Sequence, residues 1–80
     1  MQRWNDFLYT PNTTQKIDYL TGTNPIYIGE SVPGSSLGSP SWRIKKLTYD
    51  GNGNVTDVQW APNYLNFGDI WNNRVGLVYS

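Results

Sequence analysis

Eighty residues with no cysteine, no histidine, and six basic side chains against six acidic ones describe one small, neutral domain. Disulfides and His or Cys metal sites are excluded, the commonest general bases and thiol nucleophiles are missing, and no long-range field draws the chain to nucleic acid or anionic membranes. Aromatic and charged residues each make up 15% of the chain, against roughly 25% charged in typical soluble domains. A surface of this kind is sticky or covered, and partner chains are expected to supply stability that so small a core lacks.

Residues 1–16 read as an amino-terminal arm. Trp4, Phe7 and Tyr9 precede the polar stretch Thr10 to Gln15, and aromatic side chains at a chain end suit docking on a partner. The compact β domain is expected over 17–80. No apolar run approaches the roughly 18 residues that span a bilayer, and the first residues lack the pattern of a signal peptide, so synthesis in the cytoplasm without a membrane partner is expected.

Ile17 to Leu20 and Ile26 to Gly29 flank a Thr-Gly-Thr-Asn-Pro loop, which reads as a hairpin. Ser31 to Ser41 breaks all periodicity; a Pro/Gly/Ser loop this long suits a crossover or a binding surface, with Pro33 and Leu37 as candidate contacts. Trp42 to Tyr49 and Val55 to Trp60 are β-rich runs around the turn Asp50-Gly51-Asn52-Gly53-Asn54. Trp42 and Ile44 share one parity and Leu47 and Tyr49 the other, so a bulge at Lys45-Lys46 is expected to bring all four inward. Ala61 to Asp69 is irregular, with Tyr64 and Phe67 as candidate contacts, and Ile70 to Tyr79 reads as a final strand packed on both sides. The predicted core is Trp42, Ile44, Leu47, Tyr49, Val58, Trp60, Trp71, Val75 and Leu77. No window carries a helical period. The expected fold is all-β, a small antiparallel sandwich or partly open barrel of about five strands.

Little in the sequence points to catalysis. Asp6, Asp18, Glu30, Asp50, Asp57 and Asp69 are the carboxylates, and a domain of this length rarely encloses the cleft that paired carboxylates need, so no enzyme and no cofactor are expected. Asp50 to Asp57 spaces oxygen ligands like a calcium loop, but Val55 stands where that loop needs Gly and Ala61 where it needs Glu. Arg43, Lys45, Lys46 and Arg74 among Trp42, Tyr49 and Trp71 could form a stacking platform for single-stranded nucleic acid, which the zero net charge disfavours. Exposed aromatics beside Asn and Asp also suit sugars.

Pro25 to Glu30, Pro33 to Ser36, Trp42 to Lys46, Tyr49 to Val55, Trp60-Ala61, Ile70 to Arg74 and Tyr79-Ser80 form an ordered motif series. The series resembles a recurrent module of small structural proteins from tailed bacteriophages and covers about residues 25–80. The resemblance implies a virion protein that self-associates or binds a larger capsid, neck, tail or baseplate protein, localised in the virion. It also implies an Asp-Gly turn after Trp60-Ala61, where this chain has Pro62-Asn63. The second functional class is a carbohydrate-binding module for host attachment. Trp4, Phe7, Tyr9, Pro33, Leu37, Tyr64 and Phe67 are the candidate partner-binding residues.

Overall fold

The computed structural model describes residues 13–80, which form a five-stranded antiparallel sheet with little helix. Strands β1 (Thr14–Asp18), β2 (Tyr27–Ser31), β3 (Pro40–Tyr49) and β4 (Val55–Trp60) make a meander, and the short β5 (Asp69–Ile70) pairs with the start of β3. This is the all-β fold expected. Trp4, Phe7 and Tyr9 lie outside the described residues. Thr14, Gln15 and Lys16, which the sequence groups with the arm, are strand residues paired with Ser31, Glu30 and Gly29.

Local chemistry fixes both hairpins. The Asp50 carboxylate accepts the backbone N–H groups of Asn52 (2.8 Å) and Asn54 (3.0 Å), and Gly53 takes a φ of +85°, so the turn letters are used by the turn itself. In the first hairpin the Asp18 carboxylate accepts the N–H of Leu20 at 2.8 Å, with Leu20 in the left-handed region at φ 55°.

β3 has no bulge at Lys45-Lys46. Its pairing with β2 and β4 runs unbroken through both lysines, and the register shift falls between Thr48 and Tyr49, opposite Thr56. Parity therefore holds along β3. Trp42 and Ile44 face one side and Arg43, Lys45, Leu47 and Tyr49 the other, so the four apolar residues are divided between two faces. Arg43 and Lys45 share the outer face with Leu47 and Tyr49, while Lys46 falls on the parity of Trp42 and Ile44.

The inner face holds the core: Tyr27, Trp42, Ile44, Ala61 and Trp71 are buried, with Ile26, Leu77 and Tyr79 packed against them. Of the predicted core, Leu47, Tyr49 and Trp60 are half-buried, while Val58 and Val75 are 50% and 67% exposed. Tyr27 and Ala61 take their places. Trp42 and Trp71 meet at 5.8 Å, above Gly29 of β2.

The expected last strand stops after two residues. Trp71–Gly76 is a 3₁₀ segment, because Asn72, Asn73 and Gly76 are poor strand residues and the segment is tied down from both ends. Arg74 donates from Nε to Asp18 at 2.7 Å and from Nη1 to the Trp71 carbonyl at 3.2 Å, and its guanidinium lies 4.6 Å from the Trp71 ring. Tyr79 donates to the Arg74 carbonyl at 2.8 Å, and burial pushes its phenol pKa up. Ser80 then exchanges two backbone hydrogen bonds with Trp60 on the free side of β4.

Asp18 thus joins the first strand to the last segment. The Leu20 N–H, and after it Arg74, hold its carboxyl below the ordinary 3.8. A depressed carboxylate stabilises the fold above its unfolded pKa and loses that contribution as pH falls through the folded value. The melting temperature should therefore drop on acidification below about pH 4. In Asp18→Asn the neutral-pH value should be lower and the acid drop smaller, as a calorimetric pH series would show.

Candidate functional site: the outer face of the sheet

Two cross-strand rows organise the outer face. Ile17 pairs with Ile28, Ile28 with Lys45 and Lys45 with Trp60, which gives one row across four strands. Beside it run Gln15, Glu30 and Arg43. Gln15 donates to Glu30 at 2.9 Å, Arg43 donates to Glu30 from Nε at 3.1 Å, and the Arg43 Nη2 closes a salt bridge to the same oxygen. Arg43 foremost, helped by Gln15, holds the Glu30 carboxyl below its usual range against the opposing effect of burial.

The segment after β4 adds aromatic rings to one corner. Tyr64 stacks on Trp60 at 5.3 Å and 27°. Arg43 lies 4.7 Å from the Phe67 ring and 5.5 Å from the Trp60 ring, and the Lys45 ammonium is 5.6 Å from Trp60. Phe67 holds this position in the left-handed region, at φ 51°, a conformation that costs a side-chain-bearing residue roughly 1–2 kcal/mol. Asp69 supports the loop from the inner side: it is buried, it accepts the Asn63 N–H at 3.2 and 3.3 Å, and desolvation raises its pKa. The acidic group of this turn therefore comes from Asp69, where the motif resemblance implied an Asp-Gly pair directly after Ala61.

Two of the partner-binding candidates, Tyr64 and Phe67, meet here. Pro33 and Leu37 sit elsewhere, in a loop that the inner side holds: the Trp42 indole donates to the Ser36 carbonyl at 3.0 Å and the Asn72 N–H to the Leu37 carbonyl at 3.1 Å. Buried Ser31 fixes the base of that loop through hydrogen bonds to the Ser35 hydroxyl (2.6 Å) and the Ser41 carbonyl (2.7 Å). In the sequence Arg43 and Lys45 suggest only a nucleic-acid platform and Trp60 only a core position, not one corner with Tyr64 and Phe67. The pairing of Lys45 with Trp60 could have brought the three together, because the hairpin register alone puts Arg43, Lys45 and Trp60 on one face.

The nucleic-acid platform drawn from Trp42, Tyr49 and Trp71 does not form, since Trp42 and Trp71 are core residues. Four of the five acidic side chains among the described residues serve structure: Asp18 and Glu30 are ion-paired, Asp50 closes a turn and Asp69 a loop, while Asp57 is exposed on β4. Among the described residues no three acidic side chains converge as a metal site would require, and no helix is long and apolar enough to cross a membrane. Comparison of the chain with protein-family models, with curated proteins and with solved structures found no match.

Replacing Phe67 separates strain from contact. Phe67→Ala loses the ring and keeps the strained backbone, whereas Phe67→Gly loses the ring and relieves the strain. In urea denaturation the glycine variant should be the more stable of the two by about 1 kcal/mol. Equal stabilities would show that the left-handed conformation carries no cost.

Proposed function

We propose that the chain is a structural protein of a tailed-bacteriophage virion that works by protein contact, binding copies of itself or a larger head or tail protein. The observation that carries this reading is the unequal use of the two sheet faces. Five hydrophobic residues are buried on the inner side, whereas no strand residue of the outer face is buried and Ile17 and Val58 there are 46% and 50% exposed. A sheet that leaves Ile17 and Val58 exposed beside half-buried Ile28 and Trp60 is suited to covering that face with another protein.

The motif series supports the virion reading in a limited way. All five buried hydrophobic residues fall inside its segments, so the series traces the residues that build the fold. The sugar-binding reading draws less support. Trp42 and Trp71 are buried and Trp60 already carries Tyr64 and two cations against its ring, which leaves no open indole face among the described residues for a sugar ring.

Particles purified from a lysate that produces the phage should contain the chain in fixed stoichiometry, and light scattering on the isolated protein should show self-association that Val58→Glu weakens without changing the circular dichroism. A chain absent from particles, strictly monomeric and retained on a glycan array would overturn the proposal.

A further inference from the structure

The outer face has a charge imbalance as well as an apolar row. By strand register its charged positions are Glu30, Arg43 and Lys45, two cations against one carboxylate. Glu30 is committed first to Arg43 and Gln15, with Lys45 adding a weaker attraction, and the Lys45 ammonium lies 5.6 Å from the Trp60 ring. A well-fitting occupant would bring aromatic or aliphatic groups for the row and a carboxylate for the Lys45 side.

The chain itself contains such a segment. Trp4, Phe7, Leu8 and Tyr9 supply the apolar groups, and Asp6 lies between Trp4 and Phe7, with Arg3 at the far side of Trp4. Its attachment point is favourable: the chain enters β1 at Thr14, and the next residue, Gln15, already belongs to the Glu30–Arg43 row. Three strand spacings separate β1 from β4, about 14 Å. Five extended residues carry the chain from Thr14 to Tyr9 over about 17 Å, and ten carry it to Trp4 over about 34 Å. Reach does not limit the contact.

We propose that the outer face is the docking site for the chain's own amino-terminal segment, residues 1–12, with the aromatics on the Ile17, Ile28 and Trp60 row and Asp6 facing Lys45. The inference deepens the assembly reading, and rests on it in treating this segment as a contact element. It specifies one acceptor surface and one donor segment.

The absence of native cysteine makes the test clean. A nitroxide on Asn5→Cys in the full-length protein should abolish the methyl NMR signals of Ile17, Ile28, Leu47 and Val58 and the indole signal of Trp60, and leave exposed Val75 and Val78 intact. Asp6→Lys should restore the lost signals; Asp6→Glu should not. Mixing spin-labelled chains with isotope-labelled, nitroxide-free chains tells a second copy from the same chain, and signal loss in either arrangement supports the docking. Retention of every outer-face signal, or loss confined to Val75 and Val78, overturns it. Light scattering on the same samples keeps the two proposals apart. An oligomer with untouched outer-face signals removes this site and leaves assembly standing, whereas a monomer with signals lost within its own chain keeps this site and removes self-association, leaving contact with a larger virion protein as the assembly route.

Discussion

Close approach at Gly29 is the constraint on which the rest of the fold depends. A Cβ there would lie 2.6 and 2.7 Å from two atoms of the Trp71 ring and 3.2 Å from Trp42, so the indoles can lie against β2 only because the residue has no side chain. Neither ring can yield easily. Trp42 is 1% exposed and anchored by its indole to Ser36, and Trp71 is held from behind by Arg74, which Asp18 grips in turn. In a domain without disulfides, this stack over a glycine fastens the carboxy-terminal segment to the sheet.

That arrangement explains why one face is spent on stability and the other is left open. The inner layer is thin: the last segment, the 32–39 loop and two indoles cover the sheet once, and residues 13–80 include no second sheet to cover the opposite side. The outer residues compensate locally, with Arg43 between Phe67 and Trp60 and Tyr64 on Trp60. Half-burial of this kind keeps a face soluble yet still rewards a partner that removes the remaining apolar area from water.

The sequence made the hairpins, the turns and the class of fold readable because those depend on local signals: Asp-Gly-Asn-Gly between β-rich runs, and Pro25 ahead of β2. The facing of β3 was not readable, because it rests on a rule that every apolar residue of a strand should point inward. Arg43 and Lys45 broke that rule by sharing their face with Leu47 and Tyr49. The end of the chain was obscure for a different reason. Ile70, Trp71, Val75, Leu77 and Val78 have strand composition, but the path after Ile70 is set by Asp18, a contact 56 residues away that no local pattern announces. Of the site, Tyr64 and Phe67 were found as isolated aromatics, while their grouping with Trp60 and Arg43 needed the hairpin register and the left-handed turn at Phe67.

Equilibrium urea unfolding of Gly29→Ala beside Val58→Thr tests this division of labour most directly. One added methyl group on the inner face should cost about 1–3 kcal/mol or prevent folding, since a rigid indole must move out of a filled layer. The outer-face change, at a half-exposed position of similar shape, should stay within about 0.5 kcal/mol of the parent. A Gly29→Ala protein as stable as the parent, or a Val58→Thr protein more damaged than Gly29→Ala, would contradict the account.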